Sequence, residues 1–161
     1  MSTGPSKPRK RRKTAKAISR FVYPATFTND STGRVLVQFP DLPGAATDGA
    51  GPVEAIEEAI DCLGSYLATR MARKEEIPEP STGKRGTSPI PVPLWLAPKL
   101  ALYLAVRAES MSNSELARRL NVRETVVRRM LDPDHETKAE RIQAALAVFG
   151  KRLAIEVQNA A

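Results

Sequence analysis

Side chains that could contact DNA are concentrated in the stretch SNSELARRLNVRETVVRRML, residues 112–131. An arginine can donate two hydrogen bonds to O6 and N7 of a guanine, and a glutamate can accept one from N4 of a cytosine. Arginines on a neighbouring helix are better placed to bind phosphates. The alternative is that these arginines form a basic face that is exposed to solvent and does not bind DNA. The pattern predicts base-reading residues on a second helix, Arg123, Glu124, Thr125, Arg128 and Arg129, and phosphate-binding residues on a first, Arg118 and Arg119.

A second group of candidate side chains is acidic. Four carboxylates in GPVEAIEEAIDCL share one face of a predicted helix, near its N-terminus, where the helix dipole favours negative charge. A fifth lies in FPDLPGAATDG, residues 39–49, whose prolines, glycines and aspartates indicate a shaped turn. The four helix carboxylates can be explained as a solvated helix face, and the alternative is that they bind a partner. The candidate partner-binding residues are Asp41, Glu54, Glu57, Glu58 and Asp61.

Catalytic chemistry has few candidate residues in this chain. The single histidine, His135, lies in the polar stretch DPDHET and is predicted to be a solvated loop residue. The single cysteine, Cys62, excludes an internal disulfide and a multi-cysteine zinc site, and it fits a reducing compartment. Two-metal phosphodiester chemistry needs converging carboxylates, whereas Asp30, Asp41 and Asp48 all fall in predicted turns. We therefore predict that the protein is not an enzyme and has no catalytic residue, metal site or cofactor.

Residues 20–96 are predicted to form a small unit with a sheet and one helix. Alternating apolar residues predict a strand at 21–27, in which Pro24 indicates an edge or a bulge. After a hairpin turn, a second strand is predicted at 34–39, and the apolar segment 90–96 is predicted to return to the same sheet. Between these strands, one apolar stripe predicts a helix of about five turns. The stripe consists of Ile56, Ile60, Leu63, Leu67 and Met71.

Residues 97–161 are predicted to form a small helical unit. Ser112, with a glutamate three residues later, is typical of a capping box that opens a short helix. Asn121 suits the left-handed conformation at the end of that helix. The alternating segment 151–158 predicts a possible C-terminal strand that could pair with its twin across a dimer axis. A preceding helix is predicted from the stripe Leu100, Leu104 and Ala108.

Charge divides the chain into three parts. Residues 1–20 contain eight lysines or arginines and no acid, residues 21–80 contain four bases and ten acids, and residues 81–161 contain thirteen bases and eight acids. We predict that residues 1–19 form a disordered basic tail, which either binds nucleic acid or only keeps the chain soluble. No stretch approaches the roughly 20 apolar residues that a bilayer requires. The predicted location is the cytoplasm, with no membrane partner.

Several segments of the first unit together resemble the HicB antitoxin family. They are the strand YPATFTND, the strand and loop GRVLVQFPDLPGAATDG, the helix start GPVEAIEEAIDCL and the later IPEPS. The resemblance implies an α+β protein with an N-terminal truncated ribonuclease H-like domain, an antiparallel sheet plus a helix, in which FPDLPG is a corner before a short third strand. It also implies a partner, a HicA-type toxin that cleaves messenger RNA. The GAG at 49–51 departs from the family, which runs more directly into the helix.

The second unit resembles helix-turn-helix domains of the phage-repressor type over residues 98–149. The resemblance rests on Leu-Ala early in the first short helix, Asn-Val in the turn and Val-x-Arg late in the second. Two positions depart from that pattern. The usual turn glycine is Asn121, and the usual serine at the start of the second helix is Arg123, which cannot cap as a serine would.

These resemblances lead to one preferred hypothesis and two alternatives. HicB proteins with a helix-turn-helix domain act as autorepressors, so the resemblance implies an antitoxin that occludes its toxin and binds operator DNA as a homodimer or tetramer. The second hypothesis is an orphan transcriptional regulator whose N-terminal domain serves oligomerisation or binds another partner. The third is a divergent nuclease.

Overall fold

The computed structural model describes residues 21–155 and 157, and the predicted basic tail lies outside this part of the chain. The fold is α+β. No helix of the described residues is long and apolar enough to cross a membrane. The elements, in chain order, are β1 (Val22–Asn29), β2 (Val35–Gln38), β3 (Ala46–Gly49), α1 (Pro52–Ala72), β4 (Thr87–Pro91), α2 (Ala97–Ala108), α3 (Asn113–Leu120), α4 (Glu124–Leu131) and α5 (Ala139–Ala147).

The four strands form one antiparallel sheet in the order β3-β2-β1-β4. The predicted hairpin joins β1 to β2, and the Asp30 carboxylate organises its turn by accepting hydrogen bonds from the backbone N–H groups of Thr32 and Arg34. The third strand implied by the family resemblance is also present. It is β3, which pairs with β2 so that Asp48 lies opposite Leu36.

The corner FPDLPG is a compact, internally bonded turn. Leu42 is fully buried, so the segment contributes a side chain to the core. The backbone N–H of Phe39 donates to the carbonyl of Ala45, and that of Ala45 donates to the carbonyl of Leu42. Gly44 has φ 88°, a left-handed conformation that glycine adopts without steric cost. The FPDLPG segment therefore serves mainly as a structural corner.

The prediction that Pro24 lies at an edge is correct only locally. Strand β1 lies inside the sheet, but its pairing with β2 begins at Thr26, so Pro24 has a neighbour only on its β4 side. The returning strand is also earlier than predicted. It covers Thr87–Pro91 rather than residues 90–96, because the polar start of β4 pairs with β1 as far as Thr26.

In its first turns, helix α1 packs on the sheet with a different face from the predicted one. Ile56, predicted to face inward, is 47% exposed, whereas Ala55 and Ala59 are fully buried. The reason is the close approach of β3: a β-carbon added to Gly49 would overlap the backbone nitrogen of Ala55 and lie 2.7 Å from its Cα. Only small side chains fit at such a contact. Farther along the helix the prediction is confirmed, since Ile60 is half-buried and the other three stripe residues, Leu63, Leu67 and Met71, are buried.

Buried residues form two hydrophobic clusters, and helix α2 belongs to both. Leu100 and Tyr103 pack in the first cluster with the sheet and α1, whereas Leu102 and Ala105 pack in the second with α3, α4 and α5. The single stripe predicted for this helix was therefore incomplete, and its last member, Ala108, is exposed. The domain boundary at residues 96 and 97 stays a prediction.

The described part of the predicted C-terminal strand does not pair with another segment of this chain. Residues 151–155 and 157, the described part of that segment, have no strand pairing. Because the predicted partner was a second copy of the chain, pairing across a dimer axis stays a prediction.

The contact between Gly49 and α1 makes a testable prediction about stability. Replacing Gly49 by alanine should lower the free energy of unfolding by about 1–3 kcal/mol, because the added methyl group overlaps backbone that cannot move freely. Gly51→Ala is the matched control, since a β-carbon there meets no atom of the described residues within 4 Å. Urea titrations followed by circular dichroism measure both changes. Equal losses for the two variants would contradict the close approach.

Candidate functional site

Helices α3 and α4 are held as a pair by local capping and by the second cluster. The Ser112 hydroxyl accepts a hydrogen bond of 3.1 Å from the N–H of Glu115, which confirms the predicted N-cap of α3. Asn121 ends α3 in the left-handed conformation, as predicted, with φ 54° and ψ 45°. Arg123 precedes α4 without a side-chain cap. Two fully buried side chains, Leu116 and Val127, anchor the pair in the core.

The predicted base-reading residues lie together on the outward side of this pair. In α4, Val127 and Met130 point into the second cluster. Helical periodicity places the candidate residues of α4 on the opposite side. Arg123, Thr125, Arg128 and Arg129 are exposed, and Glu124 is half-buried.

Glu124 orients one arginine of this face and joins it to α3. Its Oε1 accepts hydrogen bonds from Nε and Nη2 of Arg128 at 2.9 and 2.5 Å. Its Oε2 accepts one of 2.6 Å from the hydroxyl of Ser114, near the start of α3. The Ser114 hydroxyl and the Arg128 guanidinium lower the pKa of Glu124. Glu124 therefore links Arg128 of α4 to Ser114 of α3.

Glu115 holds both arginines predicted to bind phosphate. Its carboxylate accepts two hydrogen bonds from Arg118, at 2.9 and 2.8 Å, and one of 2.7 Å from Nε of Arg119. These bonds, those from Arg118 first, lower the pKa of Glu115 to about 2. Within the described chain, Arg123 and Arg129 form no ion pair with an acid.

The acidic candidates on α1 also share an outward surface. Glu54, Glu57, Glu58 and Asp61 are all exposed, as predicted for the side opposite the core. The Glu54 carboxylate accepts a hydrogen bond of 3.0 Å from the N–H of Ala50 and so satisfies a donor just before the helix. The other three make no ion pair among the described residues. This surface is negatively charged and lies near the N-terminus of α1, where the helix dipole favours negative charge.

Asp41 has a different environment from the α1 acids. It lies in the FPDLPG corner, and its Oδ2 accepts a hydrogen bond of 2.8 Å from the backbone N–H of Ser81. This bond ties the corner to the long connection between α1 and β4. The observed role of Asp41 is thus structural, and its role in partner binding stays a prediction.

Exposed apolar residues on α1 and just before α2 were missed at the level of sequence. Val53 and Ile56 are 73% and 47% exposed, and Leu94 and Trp95 are 75% and 51% exposed. Trp95 lies against α1, because a β-carbon added to Gly64 would be 2.9 Å from its Cζ2. A glycine inside a helix costs about 1 kcal/mol relative to alanine, so Gly64 was the available signal of a close contact.

The single histidine and the single cysteine lie in different parts of the described structure. His135 lies in the loop after α4, where it is half-buried rather than fully solvated. Cys62 is half-buried on α1, and burial, with the nearby charge of Glu58, raises the pKa of its thiol. No group of three or more His, Cys, Asp or Glu side chains in the described part of the chain is arranged to hold a metal ion.

The pairing of Glu115 predicts how its carboxylate titrates. Its folded pKa is depressed to about 2 from 4.5, so the stability that the ion pairs contribute is complete above pH 4.5 and is lost as the pH falls through about 2. In the double variant Arg118→Gln and Arg119→Gln, the pKa should rise towards 4.5. Arg129→Gln is the control, since Arg129 does not contact Glu115. Carboxyl-detected NMR titration measures each value, and an unchanged pKa in the double variant would contradict the pairing.

Comparisons with known proteins identify the family of this chain. Residues 22–101 match the family model described as HicB_like antitoxin of bacterial toxin-antitoxin system. Antitoxin HicB 2 of Photorhabdus laumondii is 37% identical over 131 residues, which cover 81% of this chain and 92% of that protein. Antitoxin HicB of Escherichia coli K12 is 34% identical over 133 residues, covering 83% of this chain and 96% of the relative. The chain therefore belongs to the HicB-like family of bacterial antitoxins.

Proposed function

We propose that this protein is an antitoxin that occludes a HicA-type, messenger-RNA-cleaving toxin and represses its own operon by binding operator DNA. The observation that carries the proposal is the length of the similarity to antitoxins. A match of 131 residues is too long to be confined to residues 22–101, so it includes part of the second helical unit as well as the first. Both units are therefore part of what this chain shares with antitoxins.

In this proposal, residues 20–96 form the toxin-binding domain, a truncated ribonuclease H-like fold. The exposed acids of α1 attract a basic toxin, and the apolar residues beside them supply buried contact area. This surface includes Glu57 and Asp61 together with Val53 and Trp95, all of them exposed. Because occlusion only covers the toxin, the antitoxin needs no catalytic residue of its own. The complex acts in the cytoplasm, where the toxin meets messenger RNA.

Residues 97–161 form the operator-binding domain, with α3 and α4 as a helix-turn-helix. Helix α4 lies in the major groove, where Arg128 and its neighbours read base edges, while Arg118 and Arg119 on α3 bind phosphates. The exposure of these arginines supports this assignment, because the side chains of Arg118, Arg119 and Arg128 stay 74%, 47% and 67% exposed within their ion pairs. A homodimer or tetramer would place two such domains on two operator half-sites.

Arg128 and Arg118 provide the test of DNA reading. Arg128→Ala should weaken binding to the operator by about 1–3 kcal/mol and relax base preference, because a bidentate contact to guanine is lost. Arg118→Ala should weaken binding to all sequences alike, because a phosphate contact carries no sequence information. Fluorescence anisotropy with labelled upstream DNA and a scrambled duplex measures both. Equal losses on the two duplexes for Arg128→Ala would count against its base-reading role.

The acids of α1 provide the test of toxin binding. In the full chain, Glu57→Gln with Asp61→Asn should slow association with a HicA-type toxin by about three- to tenfold at low salt, because electrostatic steering is reduced. Glu136→Gln with Glu140→Gln removes the same charge from exposed positions of the second unit and is the matched control. Biolayer interferometry at two salt concentrations measures the rates.

Two outcomes would contradict the antitoxin proposal. A toxin that forms no complex with the unmodified chain would favour the orphan regulator. Magnesium-dependent degradation of RNA by the purified chain alone would favour the nuclease.

A further inference from the structure

Lys99 is a buried charged side chain at the junction of α2, α4 and the loop that follows α4. It is 5% exposed. Its ammonium donates hydrogen bonds to the carbonyl of Asp132 at 2.6 Å, to the hydroxyl of Thr137 at 3.3 Å and to the carbonyl of Arg129 at 3.4 Å. These three acceptors match the three donors of an ammonium group. Burial lowers the pKa of Lys99, and the charges of Asp132 and Asp134 oppose that change.

The position of Lys99 is unfavourable for its own helix and favourable for α4. It is the third residue of α2, where the positive end of the helix dipole disfavours a cation. The ammonium instead meets carbonyls at the C-terminal end of α4, where the dipole favours positive charge. Among the described residues, α4 has no backbone cap at this end, because Asp132 is extended with φ −78° and ψ 115°. Lys99 thus takes the place of a C-cap.

Helix α2 is itself fixed on the first cluster. Leu100, the next residue after Lys99, is fully buried there. The Tyr103 hydroxyl donates a hydrogen bond of 2.5 Å to the carbonyl of Glu75 after α1. At the end of α4, Leu131 packs against both clusters. The Lys99 ammonium therefore links the C-terminal end of α4 to α2, a helix whose position is fixed by packing and hydrogen bonding in the first cluster.

We propose that Lys99 is a positioning residue that sets the orientation of α4, and hence of its arginine face, relative to α2. The DNA part of this inference rests on the proposed operator binding. Without the ammonium, the carbonyl of Arg129 keeps a hydrogen bond of 3.4 Å from the Thr137 hydroxyl, and that of Asp132 keeps one of 3.2 Å from the N–H of His135. Both carbonyls then lose their charged donor, which makes the stronger kind of hydrogen bond. The end of α4 then moves or frays, and base contacts that require a fixed geometry weaken more than phosphate contacts do.

The first experiment compares Lys99→Met with Lys138→Met in the full chain. Both remove one positive charge, and Lys138 is exposed in the same part of the second unit. In Lys99→Met, amides in the last turn of α4 should exchange hydrogen about tenfold faster, while those of α1 stay unchanged. Operator affinity should fall about tenfold, and affinity for a scrambled duplex by less than about threefold. Lys138→Met should change neither the exchange of α4 nor the ratio of the two affinities.

The second experiment restores the ammonium chemically. A chain with Cys62→Ser and Lys99→Cys has a single thiol, and the unfolded chain is treated with 2-bromoethylamine. The thiol gives its proton to the buffer, and the thiolate attacks the carbon that bears bromine. A sulfur–carbon bond forms, bromide leaves, and an ammonium returns at nearly the original length. After refolding, operator preference should recover in the alkylated chain and not in the untreated one.

Three results would overturn the inference. They are unchanged hydrogen exchange in α4 of Lys99→Met, an unchanged ratio of the two affinities in that variant, and a folded alkylated chain that does not recover operator preference. If the unmodified chain shows no preference for any DNA sequence, the proposed repressor function is wrong, and so is the DNA part of this inference. Hydrogen exchange then still decides whether Lys99 holds α4.

Discussion

Helix α2 has to bury two sides at once, and most of the described structure depends on that constraint. Leu100 and Tyr103 face the cluster of the sheet and α1, and Leu102 and Ala105 face the cluster of the other helices. An amphipathic helix on a protein surface needs one apolar stripe, but a helix between two cores needs two. Because the cores share this element, the acidic face of α1 and the arginine face of α4 belong to one connected structure.

Polar contacts reinforce the same helix at both of its sides. The ends of α-helices leave carbonyls without partners, and burying such groups is costly. Tyr103 and Arg107 donate to two carbonyls just after α1, and Lys99 donates to carbonyls at the end of α4. Helix α2 therefore satisfies backbone groups from both halves of the chain. The exposed ion pairs on α3 and α4 contribute little to stability by comparison.

Features that depend on near neighbours in the chain were predictable from sequence. The alternation of Val35, Val37 and Phe39 predicts the buried face of β2 and its continuation, and all three are buried. The cap at Ser112 and the left-handed turn at Asn121 follow from side chains that act on backbone a few residues away. The family was recognisable for the same reason, because its motif is a continuous run from a strand through a corner into a helix.

Contacts between distant segments were decided only by the tertiary structure. The sequence alone determined an α+β chain with an acidic helix, an arginine-rich helix pair, and the turn residues of the hairpin, the FPDLPG corner and the end of α3. It did not determine that Ala55, rather than Ile56, faces the core, because that depends on how closely β3 approaches α1. Nor did it reveal Lys99, whose partners lie 30 to 38 residues away. A periodic pattern indicates which residues are buried. Which residues they contact depends on packing between elements that are far apart in the chain.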